Sequence, residues 1–250
     1  MRLRLEFISN DDILLPIGFN KYIQALIYNL FSEKVRNFVH ETGFKSDKKF
    51  SLFCFSSILE IGEYFKSLKI FNFGRKISFY ISSPVESLLN DLIKGLFKGE
   101  KFKLGENDIF LSSVMLNSMV IKSSSIIVNA LTPIEVHKTF KTNGKNKTIY
   151  FSPFDYEFER LININLKNKW KAFTNEELSE KKRIAIKPLF EGFSNKRVVY
   201  YGFGKKRYVI EGWKGTYQLL GNPTLLNFLY DAGLGSKNSQ GFGFIEKKGE

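Results

Sequence analysis

The sequence predicts an α+β protein built from two ferredoxin-like units in tandem. Each unit runs strand–helix–strand–strand–helix–strand. Three observations point there. Apolar alternation at period two and apolar stripes at helical spacing follow one another in an order that occurs twice, although no residue-level repeat accompanies it. The 250 residues are 43% hydrophobic and include 26 Phe and 11 Tyr, enough to fill a core in each half. A polar KSSS stretch at 122–125 supplies the joint, which places the units over residues 1–122 and 125–250.

Residues 2–7, RLRLEF, alternate as a strand does. Pro16 and Asn20 lead into a helix whose stripe is Ile23, Leu26, Ile27, Leu30 and Phe31. Two β-like stretches follow, FSLFCFSSI at 50–58 and RKISFYISS at 75–83. Ser83 and Pro84 read as the cap and first residue of a helix carrying Leu88, Leu89, Leu92, Ile93, Leu96 and Phe97 on one side. Strand character returns at 107–121. In the second half, SIIVNAL at 125–131 is a strand and TNGKNK at 142–147 a polar loop. Residues 153–170 form a helix with Phe154, Phe158, Leu161 and Ile162 together. Strands follow in 182–190 and in 196–220, the latter with a turn around Gly202–Lys206. Asn222, Pro223 and Gly233 cap, start and end a last short helix, and 242–248 form the final strand. The same element order occurs in RNA-recognition (RRM-like) domains.

Lys and Arg number 38 against 25 Asp and Glu, a net charge of +13 with pI near 9.6. Such a balance suits a polyanionic partner, nucleic acid ahead of an anionic membrane. Residues 181–214 alone hold ten basic side chains and only two acids, Glu191 and Glu211. The single cysteine, Cys54, rules out an internal disulfide and a Cys-rich zinc site. No acidic motif has two-metal spacing, Asp11–Asp12 being a weak candidate alone, so neither metal nor cofactor is expected. Mean hydropathy is −0.17, no apolar run approaches a bilayer span, and MRLRLEFISNDD lacks a signal-peptide core. The expectation is a soluble cytoplasmic protein without a membrane partner.

The stretch 233–244, GLGSKNSQGFGF, reads Gly-apolar-Gly, a polar spacer, then Gly-aromatic-Gly. It follows a helix and precedes a strand, the reverse of a dinucleotide fingerprint, and it lacks the Gly-Lys-Ser/Thr of a P-loop. Glycines permit positive φ and close backbone approach, and bare N–H groups can form an anion nest beside Ser236, Lys237, Asn238 and Ser239. LYDAGLGSKNSQGFGFIE, with LPIGFNKYIQALIYNLF, FVHE, FSLFCFS and LTPIEV, resembles the CRISPR-associated repeat-RNA endoribonucleases. These are RAMP-type nucleases that cut precursor CRISPR RNA within each repeat, and the matches are spread over nearly the whole chain.

The resemblance implies metal-independent attack of a ribose 2′-hydroxyl on the adjacent phosphate. Products would be a 2′,3′-cyclic phosphate (or 3′-phosphate) and a 5′-hydroxyl. It implies His40 as the catalytic histidine, Tyr28 as its assistant, and a lysine in the following stretch. Lys45, Lys48 and Lys49 are the candidates, with Lys48 or Lys49 favoured because they stand just before the strand. RNA contact is expected at Lys45, Lys187, Arg197, Lys205, Lys206 and Arg207. It is expected also at Gly233, Gly235, Ser236, Lys237, Asn238, Ser239, Gln240, Gly241 and Gly243 of the glycine stretch. The implied partner is repeat RNA, with an effector (Cascade-like) complex as a further candidate and a monomer or homodimer as the protein's state. The alternative is a catalytically silent RAMP-like scaffold that only binds CRISPR RNA.

The residues allow such chemistry by themselves. RNA self-cleavage needs a base for the 2′-hydroxyl, an acid for the 5′-oxygen and positive charge near phosphorus. The chain has two histidines, His40 and His137, and imidazole titrates in the useful range. His137, after the second unit's first strand, reads as non-catalytic. Tyr28 lies about 140° around the helix from Ile23, off the apolar stripe. On one unbroken helix Tyr28 and His40 would be about 18 Å apart, too far for one phosphate. A break at Ser32-Glu33 is therefore predicted, giving helices over 19–31 and 33–41 folded against each other. Trp213, Tyr217 and the Phe-rich strands offer rings on which bases could stack.

Overall fold

A computed structural model describes residues 1–142, 144–201 and 208–249. In the first half, β1 (Arg2–Ile8) is the centre of an antiparallel sheet. It lies between β3 (Lys76–Ser82) and β5 (Asn107–Asn117). β2 (Cys54–Phe55) extends the sheet beyond β3, and β4 (Phe102–Leu104) extends it beyond β5. The order β2-β3-β1-β5-β4 is that of a ferredoxin-like unit with one added edge strand. Leu3, Leu5 and Phe7 alternate into the core, as the period-two pattern requires. α1 (Asn20–Leu30) and α2 (Glu86–Lys98) bury Ile23, Leu26, Ile27 and Leu30 and Leu88, Leu89, Leu92 and Leu96 against them. Phe97 departs from its expected stripe and is 72% exposed. The helices touch at Gly95, where a Cβ would come within 1.8 Å of Leu30 O, so only glycine fits.

Two expectations are adjusted here. Ser83 is not the cap of α2: its hydroxyl accepts from Val85 N at 3.0 Å and donates to Leu52 O at 2.7 Å, so the helix begins at Glu86. Of 50–58, only Cys54–Phe55 joins the large sheet, because Leu52 takes a left-handed φ of 50° just before it.

The second half repeats the connectivity. β6 (Ser125–Ile134) is central, between β9 (Tyr208–Leu220) and β10 (Ile245–Lys247). β7 (Ala185–Pro188) pairs with the end of β9 and β8 (Lys196–Tyr201) with its start. α3 (Tyr156–Thr174) and α4 (Pro223–Ala232) complete a second ferredoxin-like unit, with Phe158, Ile162, Leu166, Leu225, Leu226 and Leu229 in its core. Asn222 caps α4 as expected, its side chain accepting from Thr224 N at 2.8 Å. TNGKNK is not a free loop: residues 142 and 145–147 belong to a two-stranded ribbon, His137–Thr142 with Lys145–Tyr150. The expected turn at Gly202–Lys206 lies outside the described residues.

The halves are fastened by Arg2, whose side chain is only 2% exposed although it stands on β1 of the first half. Its guanidinium donates to Ile245 O at 2.7 Å, to Glu246 Oε2 at 2.8 Å and to Tyr230 O, and lies over the Tyr230 ring.

Candidate active site

The chain does break where the geometry demanded. α1 ends at Leu30, and Ser32 is extended at φ −56°, ψ 154°. Asp91 holds the break by accepting from Ser32 N at 2.8 Å; the Ser32 side chain itself makes no cap bond. A short helix Glu33–Asn37 follows and widens into a π-turn over Phe38–Thr42, closed by Gly43 N donating to Phe38 O at 2.5 Å. A π-turn adds a residue to the turn and re-aims what it carries, and such turns recur at functional sites. It carries His40. The reversal brings the His40 ring to 6.0 Å from Tyr28, centroid to centroid and edge to face.

His40 is exposed, whereas Tyr28 is half-buried. Tyr28 stands off the stripe of its own helix, but Phe53 arrives from outside it, 5.8 Å away, and gives the phenol ring an apolar wall. Burial pushes the Tyr28 hydroxyl above its ordinary pKa, against the pull of a hydrogen bond with Ser51, so the group is a proton-bearing phenol at neutral pH.

Lys45, Lys48 and Lys49 are all exposed on the hairpin that follows, where Lys45 pairs with Lys49. Lys49 is the one brought to His40: its Nζ donates to His40 O at 2.6 Å and reaches Glu41 O at 3.4 Å. Lys48 and Lys49 line one wall of a cleft of about 320 Å³ between the two halves, with Ser51 beside them. The opposite wall comes from the second half: Ser236, Lys237 and Ser239 of the glycine stretch, with His137, Asn165 and Lys169.

The glycine stretch is a tightly bound plug. Gly233, Gly235, Asn238, Gly241 and Gly243 are buried. In place of the anion nest expected there, the N–H groups of Gly233, Leu234, Ser236, Gln240, Gly241, Gly243 and Phe244 all donate within the protein. Lys169 Nζ donates to Gly233 O and Gly235 O, both at 2.9 Å. Asn238 Nδ2 ties Leu234 O to Phe242 O. Asn20 and Gln24 of α1 reach across to Gly241 O at 3.2 Å and Ser239 O at 2.7 Å. Gly235 has φ +66°, and a Cβ there would meet Glu135 O at 2.3 Å. The glycines thus hold the loop between the halves, and Ser236, Lys237, Ser239 and Gln240 are its half-exposed part.

Other predicted contacts are scattered. Lys187 is exposed on the edge strand β7. Arg197 lines a separate groove with Phe19, Tyr200 and Lys214, its Nη1 donating to Ser194 O at 2.7 Å. Lys205, Lys206 and Arg207 lie outside the described residues. Trp213 and Tyr217 are corrected from stacking platforms to core residues, 2% and 0% exposed, because both face inward on the central strand β9. His137 was set aside on sequence, yet it lines the cleft with Nδ1 hydrogen-bonded to the fully buried Glu135 carboxylate. The legible signal was Glu-x-His, a spacing that puts both side chains on one side of an extended segment.

Comparisons with known proteins agree with this architecture. The family model described as CRISPR-associated protein Cas6, N-terminal, matches residues 14–115, and that described as CRISPR associated protein Cas6, C-terminal, matches 116–247. The chain is 29% identical over 266 residues to CRISPR-associated endoribonuclease Cas6 2 of Methanocaldococcus jannaschii, covering 98% of each. It is 26% identical to CRISPR-associated endoribonuclease Cas6 of Pyrococcus furiosus, over 100% of this chain and 90% of that one. In three dimensions it resembles a Cas6-related protein from P. furiosus (TM-score 0.81, 20% identity, 100% and 99% covered). A structure titled as a RAMP protein binding different RNA substrates matches with a TM-score of 0.81, 18% identity and full coverage of both chains. Two ferredoxin-like units, an exposed histidine carried on a π-turn, and family models that together span 14–247 lead to one conclusion: this chain belongs to the Cas6 family of CRISPR-associated proteins.

Proposed function

We propose that this protein is an endoribonuclease that cuts precursor CRISPR RNA within its repeats. The 2′-oxygen bonds to phosphorus while the bond from phosphorus to the 5′-oxygen breaks. The 2′-proton leaves to a base and a proton arrives on the 5′-oxygen. The chain's residues supply these transfers without a metal. His40 is the proton-transferring group at the cut. Tyr28, a protonated phenol, fixes the imidazole or the phosphate by hydrogen bonding. Lys49, already at the His40 backbone, balances charge on phosphorus, with Lys48 beside it. Ser236, Lys237 and Ser239 hold the strand from the opposite wall. The endoribonuclease activity for which the relatives are named supports this reading. The observation that carries it is Lys49, which is bonded to the backbone of the exposed His40 and, with Lys48, lines a cleft whose opposite wall is the glycine loop.

The test is single-turnover cleavage of a cognate repeat RNA in EDTA. Wild type is expected to yield 2′,3′-cyclic phosphate (or 3′-phosphate) and 5′-hydroxyl ends, and His40→Ala to lose about 10²–10⁴ in rate. Unchanged cleavage in His40→Ala removes His40 from the mechanism. Tight binding without cleavage by wild type leaves an RNA-holding scaffold.

A further inference from the structure

The exposed end of the glycine loop has a backbone shape that its own residues do not favour. Lys237, a non-glycine residue, has a left-handed φ of 56°, and Gly241 stands at 81°, one on each side of the single turn Asn238–Gln240. Such backbone persists where its surroundings hold it, and it clusters at ligand clamps. Asn238 holds the turn from within its own unit. Among the described residues, two side chains of the first unit hydrogen-bond the turn and its closing glycine. Asn20 Nδ2 donates to Gly241 O at 3.2 Å, and Gln24 Nε2 donates to Ser239 O at 2.7 Å. Both stand on α1. At about 100° and 1.5 Å per residue, Asn20, Gln24 and Tyr28 climb one face of that helix, each about 6 Å beyond the last. The helix that carries the Tyr28 phenol therefore also holds the Ser239 carbonyl.

Gln24 is aimed as well as placed. Its amide nitrogen has to face Ser239 O, because a carbonyl oxygen only accepts, and that turns Oε1 toward Tyr201. The Tyr201 hydroxyl donates to this Oε1. Tyr201 is buried, and burial, with Tyr208 and Tyr28 near it, keeps its hydroxyl protonated and so a donor. Tyr201 ends β8, and its ring lies 5.8 Å from that of Tyr208, its partner on β9. One amide thus joins α1 of the first unit to the β8–β9 pair and the loop of the second. Cations on the cleft walls attract phosphate anywhere along them, whereas a cut at one linkage needs a fixed distance between the held strand and the reacting groups.

We propose that Gln24 is a positioning residue of the cleavage reaction, which fixes the Ser239 wall relative to Tyr28, and that Tyr201 acts through it by aiming the amide. The role rests on the RNA-cleaving reading above. Gln24 neither carries charge to the RNA nor exchanges a proton. It therefore governs the rate of the bound complex, and not the affinity or the pH dependence.

The experiment is single-turnover cleavage of the cognate repeat RNA by full-length Gln24→Leu, Gln24→Glu and Tyr201→Phe over a range of protein concentration and pH, with Tm measured on each. Gln24→Leu loses both bonds. Gln24→Glu keeps the acceptor for Tyr201 and loses the donor to Ser239, which keeps the test decisive if Gln24→Leu does not fold. Either is expected to cut about 10- to 100-fold more slowly at saturating protein. The half-saturating concentration should stay within about threefold, and the pH profile should not move. Tyr201→Phe should slow cleavage less, and should add nothing further in the Gln24→Leu background. A glutamine that only stabilises the fold would lower Tm and leave the saturating rate intact, and that result overturns the proposal. So does a loss confined to affinity, a displaced pH profile, or a Tyr201→Phe loss of equal size in both backgrounds. Failure of wild type to cut its repeat would instead overturn the proposed function.

Discussion

At the scale of single residues, the distribution of lysines in the cleft separates roles that charge alone does not. Lys48 and Lys49 are neighbours in sequence, both exposed, both lining the cleft. Lys48 stands in the turn of the hairpin, whereas Lys49 opens its second strand, next to the π-turn. Lys49 reaches back onto that turn, with its ammonium at His40 O and Glu41 O. A charge fixed on the backbone that carries the imidazole stabilises a developing phosphorane more than one tethered by a mobile stem. Lys49→Ala should therefore lower the single-turnover rate at saturating RNA by about 10²-fold, and Lys48→Ala by less. Equal or reversed losses would hand the role to Lys48. Tyr28 shows why burial has to be read in three dimensions: helical phase put it off the stripe correctly, but Phe53 and Ser51, which set its environment, come from another segment.

At the scale of elements, the glycine loop and the helix beneath it form one unit. Lys169 on α3 is 2% exposed and holds two loop carbonyls. Burial depresses its ammonium from 10.5 to about 7, with Cys54 pulling weakly the other way. The native amine is thus neutral above pH 7, whereas the unfolded chain keeps it charged up to about 10.5. Unfolding in that window takes up a proton, so the group's penalty, complete below pH 7, is relieved as pH rises. Cys54, raised from 9.0 to about 12, works in the opposite sense only above pH 9. Between pH 7 and 9 the Tm of wild type should consequently rise relative to Lys169→Met, by about 5 °C. A flat difference across that range, followed by calorimetry, would show Lys169 to be charged in the fold.

At the scale of the whole molecule, the cleft exists because two units keep a fixed relation. Its walls belong to different halves, and the clasp between them is built on Arg2, engaged with Ile245, Glu246 and Tyr230 at the far end of the chain. Removing one partner of a buried ionic cluster leaves the remaining polar groups unpaired. Arg2→Ala should cost about 3 kcal/mol, a Tm fall of roughly 10 °C by thermal denaturation. It should weaken RNA affinity as well, although Arg2 lies outside the cleft. A fall in Tm with unchanged affinity would mean that the cleft keeps its shape without the clasp.

The order of elements, the buried stripes of α1 and α2, the cap at Asn222 and the broken helix before His40 were all legible from the amino-acid sequence. Each is governed by interactions a few residues apart or by a periodicity that one segment carries alone. What the sequence could not show were relations between distant segments. The burial of Trp213 and Tyr217 depends on which side of β9 is covered. The glycine loop became a plug because Lys169, Asn20 and Gln24 converge on its backbone from other elements. The approach of His137 to the cleft follows from how the second unit is set against the first. Local propensity and pattern are carried by the chain as written, whereas the pairing of two walls into one site is set by long-range packing, which no short window of residues contains.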